Sequence, residues 1–185
     1  MNFTYLIEKK AFMEHITLSK ATAADWQTIR DLARATFFET FAAGNTEADM
    51  AEYLEETFND TKVQSELQVA DSQFYIAWDD KTPVGYLKVN TGPAQTALQD
   101  ADSLEIERIY VKSSHHGKKV GQVLYEKALE VARHQQKKYI WLGVWEENPR
   151  AIRFYEKNGF VAFDKHIFKV GTDEQIDIMM RKELE

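Results

Sequence analysis

The sequence has no cysteine among its 185 residues. That absence removes a disulfide framework, a thiolate metal site and a sulfur nucleophile together. No apolar run approaches the ~20 residues that a membrane span requires, so no membrane partner is expected. Basic residues are the minority, with 23 Lys and Arg against 30 Asp and Glu, for a formal net charge of −7. A general nucleic-acid binder needs clustered Lys and Arg to neutralise phosphates, so nucleic acid is not an expected partner either. The opening residues MNFTYLIEKKAFMEH carry neither a basic n-region nor a sustained apolar h-region. Export is therefore not expected, and a cytoplasmic location is the default. No internal repeat, low-complexity tract or domain linker interrupts the chain. At roughly 100–200 residues per domain, the expectation is an N-terminal extension over residues 1–12 and one domain over residues 13–185.

What charge there is lies unevenly. Between Asn45 and Glu66 stand seven acids (Glu47, Asp49, Glu52, Glu55, Glu56, Asp60 and Glu66) and one base, Lys62, for a net of −6. Between Lys112 and Lys138 stand seven bases and two acids, for +5. The basic stretch suits an anionic ligand and the acidic one a cationic acceptor, although a solvated acidic helix face explains the latter as well.

Periodicity divides the chain into elements. Ile16 and Leu18 alternate as in a short strand, and Thr22 followed by Asp25 resembles a capping box. Helical spacing runs from Asp25 to Phe41, then again after Thr46 with Met50, Tyr53, Leu54 and Phe58 as its apolar stripe, and a third short helix is predicted around Thr61–Ala70. Strands follow at Gln73–Trp78, Val84–Asn90 and Leu104–Val111. In the last, strict alternation puts Leu104, Ile106, Arg108 and Tyr110 on one face and Glu105, Glu107, Ile109 and Val111 on the other. A long helix is predicted over Gly117–Lys137 and a buried strand over Tyr139–Val144. Asn148-Pro149 has the grammar of an N-cap followed by Pro at N1, opening a helix that ends at Asn158-Gly159. Two strands, Phe160–Phe168 and Gln175–Arg181, close the chain around a turn at residues 171–174.

Chemistry concentrates in two places. The passage from strand Leu104–Val111 through Lys112–Lys119 into a helix bearing Gly117 and Gly121 exposes unpaired N–H groups at a positive dipole end, which suits a pyrophosphate. Gly121 lets a ligand approach the first turn. Neither a Walker loop nor a dinucleotide fingerprint is present. The second place is YIWLGVWEENPRAIRFYEKNGF, residues 139–160. Its N-x-x-A-x-x-x-Y-x-x-x-G-F pattern, at Asn148, Ala151, Tyr155, Gly159 and Phe160, resembles the Gcn5-related N-acetyltransferase (GNAT) superfamily. The element order fits from about Met13 to Lys182. The runs ETFAAGNTEADMAEYLEETF, LEIERIYV and VGTDEQIDIMMRKEL look further like the bacterial PaiA-type spermidine/spermine N-acetyltransferases.

The resemblance implies a mixed α+β fold with a central, mostly antiparallel sheet of about six to seven strands, splayed at the cofactor site and flanked by helices. It implies acetyl-CoA as co-substrate, no metal, and direct transfer to a primary amine, with a polycationic small molecule such as spermidine or spermine as acceptor and a homodimer allowed. A protein N-terminal or lysine acetyltransferase, or a non-catalytic acyl-CoA-binding module, are the alternative readings. In the family's [Q/R]-x-x-G-x-[G/A] loop, His116 replaces Gln or Arg and Lys119 replaces the central Gly, while Gly121 agrees. Lys119 brings a Cβ near the phosphates, with its ammonium as a compensating contact. By resemblance the cofactor is held by His116, Gly117, Lys118, Lys119, Val120, Gly121 and Gln122, by strand backbone at Ile109, Tyr110 and Val111, and by Asn148, Ala151 and Tyr155.

Acetyl transfer to an amine needs a base for an ammonium with pKa near ~10.4, a donor for the oxyanion and a proton for the departing thiolate. By resemblance Glu105 is the expected base and Tyr155 the acid toward sulfur. Glu107 is an alternative base through water or a ligand for the substrate ammonium. Trp145 is either core or a cation–π wall for that ammonium, and Trp141 is core. The histidines show no metal-ligand spacing.

Overall fold

Seven strands and five α-helices are seen in the computed structural model, which describes residues 15–170 and 173–185. The proposed extension over residues 1–12, and the first half of the closing turn, lie outside the described residues. The strands are β1 (Ile16–Lys20), β2 (Ser72–Asp79), β3 (Thr82–Asn90), β4 (Ser103–Val111), β5 (Tyr139–Trp145), β6 (Val161–Val170) and β7 (Asp173–Glu183). The helices are α1 (Trp26–Phe41), α2 (Glu47–Thr57), α3 (Asp60–Glu66), α4 (Val120–His134) and α5 (Pro149–Lys157). Side-chain caps set several starts. Thr46 Oγ1 accepts from Asp49 N at 3.1 Å for α2, Asn59 Oδ1 from Lys62 N at 2.8 Å for α3, and Asn148 Oδ1 from Ala151 N at 3.1 Å for α5. The Thr22–Asp25 capping box is present, but it opens a single 3-10 turn ahead of α1.

One sheet runs in the order β1-β2-β3-β4-β5-β7-β6. Every neighbouring pair is antiparallel except β4 and β5, which are parallel and joined over three residues only, Ser103 to Glu105 against Tyr139 to Trp141. Beyond Glu105 and Trp141 the two strands part. Each face of the sheet carries its own core. Leu104, Ile106, Ile140 and Leu142 pack with Leu124 and Ala128 of α4 on one side. Phe74, Ile76 and Tyr86 pack with Ile29, Leu32, Phe37, Met50 and Phe58 of the early helices on the other.

Strict alternation fails in β4. Val89 pairs with Ile106 and Lys88 with Arg108, so Glu107 is the extra residue of a β-bulge. A bulge places two residues opposite one and reverses the phase of the faces beyond it. Ile106, Ile109 and Val111 therefore share the α4 side, while Tyr110 joins the core under α1 to α3. The expected grouping of Ile106 with Tyr110 is thus corrected. Helix α4 also begins three residues later than its pattern predicted, because Gly117 and Lys119 take positive φ (78° and 62°), which the helical ladder does not accommodate. It ends before Gln136, whose φ is 55°. Helix α3 stops at Glu66, short of the predicted Ala70.

Helix α4 crosses β3 and β4 closely at Gly85. A Cβ there would stand 2.7 Å from the Tyr110 carbonyl oxygen and 3.3 Å from Leu124 Cδ1. Gly85→Ala is expected to destabilise the fold by about 1–3 kcal/mol through overpacking, read as a lower urea midpoint at unchanged m-value. An unchanged midpoint would show that the backbone yields freely here.

Candidate active site

The parting of β4 from β5 opens a cleft of about 940 Å³ lined by both strands, the start of α4, α5 and the aromatic residues of α1 and α2. From Ile106 to Val111, β4 is paired to β3 on one side alone. Buried backbone left without a partner is costly, so this edge calls for a ligand that pairs as a strand does.

At the mouth of the cleft, the turn before α4 gathers donors. Among the described residues, the N–H groups of Gly117, Lys119, Val120 and Gly121 have no backbone acceptor, since the first bonds of α4 run from Gln122 N and Val123 N to Lys119 O. Lys119 takes the left-handed conformation that glycine adopts without cost. The glycine-like backbone is therefore kept with a side chain attached. His116 lies across this turn. Its Nε2 stands 2.7 Å from the Val111 carbonyl and its Nδ1 2.6 Å from Arg150 Nη1. A guanidinium only donates, so Nδ1 accepts and Nε2 carries the proton. Arg150, from the first turn of α5, thus brings a guanidinium to the corner where the family pattern has Gln or Arg at position 116. Gln122 lines the cleft, its side-chain amide bonded to Glu126 and Asn158. Asn148 and Ala151 line the cleft below this corner.

Deeper in, the bulge places two glutamates in unlike surroundings. Glu105 is 2% exposed. Its carboxylate accepts from Asn90 Nδ2 at 2.9 Å, from Thr96 N at 2.9 Å and from Thr96 Oγ1, all neutral donors. Burial pushes its pKa up, against the pull of these hydrogen bonds. Glu107 also takes a bond from Asn90 Nδ2, at 2.5 Å, but sits 2.6 Å from Lys88 Nζ and 3.0 Å from Arg108 Nη2. Burial works to raise its pKa too, yet Arg108 and Lys88 prevail and hold it low. Glu66 of α3 completes the square by accepting both nitrogens of the Arg108 fork, at 2.6 and 3.0 Å. Glu107 is thus an anion already neutralised by two cations, whereas Glu105 is a carboxylate with a raised pKa and, among the described residues, no cation paired with it.

Tyr155 lies on the wall toward α4, its ring edge-on to Phe154 and Phe160 at 5.3 and 5.5 Å. Burial raises its pKa, which keeps the hydroxyl protonated and able to donate. Trp141 is 2% exposed and donates through Nε1 to Gln95 at 2.7 Å. Trp145 packs on Phe41 at 5.1 Å and lines the cleft. Four residues that line or support the cleft were not singled out from the sequence. Thr96 and Gln95 sit in a polar loop with no periodic pattern. Arg150 reads as an ordinary surface position of an amphipathic helix. Asp177 occupies a polar step of an alternating strand, and here lines the cleft.

The Acetyltransferase (GNAT) family profile matches residues 26–160. An N-acetyltransferase encoded in the pepI 3′ region of Lactobacillus delbrueckii subsp. lactis is 37% identical over 172 residues, 93% of this chain and 99% of that protein. The spermidine N(1)-acetyltransferase of Thermoplasma acidophilum is 25% identical over 92% of this chain and 98% of its own length. Among solved structures, the PaiA N-acetyltransferase of Thermoplasma acidophilum in complex with coenzyme A superposes with a TM-score of 0.76 at 24% identity, over 91% of this chain and 99% of that one. YncA of Salmonella typhimurium with acetyl-CoA gives 0.65 at 20% identity, over 92% and 94%. Both share the splayed fold.

The conformation of Lys119 carries a test. A non-glycine residue held in the left-handed region costs about 1 kcal/mol or more. Lys119→Gly is expected to raise the unfolding free energy by about 1 kcal/mol in urea titration, and a loss of stability would contradict the strain.

Proposed function

The chain belongs to the Acetyltransferase (GNAT) family and is an N-acetyltransferase, and from that premise we propose that it moves the acetyl group of acetyl-CoA directly onto a primary amine of a polyamine such as spermidine. The observation that carries this reading is a single continuous cleft. It runs from the free N–H groups at the start of α4, along the unpaired edge of β4, to Glu105, a carboxylate with no cation paired with it among the described residues.

The residues at the mouth of the cleft fit coenzyme A. The N–H groups of Gly117, Lys119, Val120 and Gly121 converge at a helix N-terminus that favours phosphate. Lys119 and Arg150 add positive charge, with His116 fixing the guanidinium. Ile109, Tyr110 and Val111 offer an edge to which the pantetheine amides would add as a strand, and Asn148 and Ala151 line the same passage. Coenzyme A, when bound, supplies the activated acetyl thioester. The protein's part is to expose the lone pair of the amine and to protonate sulfur. Glu105, with its raised pKa, receives a proton from the acceptor ammonium, directly or through one water. Tyr155, kept protonated by burial, gives a proton to the departing thiolate. A polycationic acceptor is supported by the spermidine-acetylating relative from Thermoplasma and by the acidic α2, whose Glu47, Glu52, Glu55 and Glu56 are exposed while its Tyr53 lines the cleft.

Steady-state release of free coenzyme A thiol, with spermidine, spermine and lysine peptides as acceptors, tests the proposal. Spermidine and spermine are expected to be the better acceptors. Preference for the peptides would assign the protein-acetylating reading, and no thiol release with any amine would leave only acyl-CoA binding. Tyr155→Phe is expected to lower kcat by about tenfold or more, in the range of a lost general acid, with acetyl-CoA binding unchanged; an unaltered kcat would remove its role. For Glu105 the sign follows from its direction. A base acts when deprotonated, so activity climbs as pH rises through a pKa above the ordinary carboxylate range. Glu105→Gln removes that step and moves the profile to higher pH, where the amine loses its own proton; a superimposable profile would place the base elsewhere.

A further inference from the structure

Resting on the polyamine reading, we propose that Asp177 forms a second cation subsite, receiving one ammonium of a polyamine whose reacting amine stands at Glu105, with the Trp145 ring beside it. Asp177 on β7 pairs in register with Trp145 of β5, and Glu105 on β4 with Trp141. Both carboxylates line the one cleft. The Asp177 carboxylate leans from Trp145 toward Gly143, so two to four strand residues separate it from Trp141, roughly 7–13 Å along β5 at ~3.3 Å per residue. A chain of methylenes with amines at both ends bridges such a span, and a single ammonium does not.

The surroundings of Asp177 fit a cation. Among the described residues, no hydrogen bond or ion pair holds its carboxylate, although burial leaves it half-accessible. Its carboxylate leans toward Gly143, where a Cβ would stand 3.1 Å from Asp177 Oδ2. Glycine inside a strand weakens it and often marks the close approach of a ligand, and this one keeps the carboxylate open to the cleft. The cleft wall at this end is aromatic, with Trp145, Tyr110 and Tyr53, and an ammonium over such faces gains cation–π attraction. The titratable groups facing Asp177 are His166 on β6, Tyr53 on α2 and Tyr110 on β4. Burial pushes the Asp177 pKa up to about 6, with His166 opposing the shift. An arriving ammonium relieves the desolvated charge. By contrast Glu66 and Glu107, the other carboxylates nearby, already hold Lys88 and Arg108.

The test compares spermidine with butylamine on the full-length protein and on D177N. A charge-assisted contact is worth roughly tenfold or more in affinity. D177N is therefore expected to raise the KM for spermidine by about tenfold or more, with kcat changed far less. The KM for acetyl-CoA, kcat/KM for butylamine and Tm should hold near wild-type values. In calorimetric titration, spermidine binding to the wild type should weaken as pH falls through about 6, since the protonated carboxyl is neutral, and D177N should lack that step. Gly143→Ala, which crowds Asp177 and leaves its charge, is expected to weaken spermidine in the same direction. Equal spermidine binding by wild type and D177N, or a parallel loss of spermidine and butylamine, would overturn the subsite. If no amine is turned over, calorimetry still decides: spermidine held by the wild type and lost by D177N keeps the subsite while the polyamine-acetylation reading falls. Absence of spermidine binding to the wild type overturns both.

Discussion

Three residue pairs hold β4 to β5, and everything at the site depends on their being so few. A parallel pair of strands would ordinarily continue, and its buried backbone groups would find each other. Here the ladder stops at Glu105 and Trp141, yet the sheet stays whole because β5 is secured over seven residue pairs to β7 and β4 to β3. The opening is therefore braced from both sides. It leaves the edge of β4 with unused hydrogen-bonding capacity inside a cleft, and that capacity is what an extended amide-bearing arm satisfies. The α4 N-terminus and α5 stand at one end of this edge, and Glu105 at the other.

The bulge at Glu107 is the second constraint. It turns Tyr110 toward the early helices and Ile109 and Val111 toward α4, so that the two faces of one strand meet different surroundings. It also brings Glu105 and Glu107 onto the same Asn90 amide. The two carboxylates are then separated in character by their partners. Lys88 and Arg108 stabilise the charge of Glu107, whereas only neutral donors meet Glu105. Desolvation offsets much of the Coulombic gain of a buried ion pair, so removing one partner costs more than the pair itself contributes. The effect of these pairs here is to hold the Glu107 carboxylate ionised, while burial leaves the pKa of Glu105 alone of the two raised.

The strands and the helices were legible because their signals are local. Asn148 and Pro149 announce α5 within two residues, and Thr46 announces α2. The alternation of LEIERIYV identifies a strand, but a period-two pattern has no means of registering a bulge, so the faces beyond Ile106 came out exchanged. The start of α4 was placed three residues early because lysine gives no sign of a left-handed backbone at position 119. The partners of Glu107 were hidden for another reason. Glu66 and Arg108 are 42 residues apart, and only the docking of α3 on the sheet brings them together. The same holds for Arg150 with His116 and for Asp177 beside Gly143.

Charge, too, resolves by location. Within the +5 stretch, Lys127 and Lys138 are spent on Glu130 and Asp102, whereas the turn before α4, joined by Arg150 from outside the stretch, borders the cleft. Within the −6 stretch, Glu66 is consumed by Lys88 and Arg108, Asp60 and Glu55 pair with Arg30 and Arg34, and Glu47, Glu52 and Glu56 face solvent. The central claim is that the free edge of β4, from the α4 turn inward, is where the cofactor arm pairs. Backbone amide hydrogen exchange with and without coenzyme A tests it most directly. The account predicts slowed exchange on binding in Ile109–Val111 and Gly117–Gly121, with β2 and β6 unaffected. Unchanged exchange in β4 at saturating coenzyme A would contradict it.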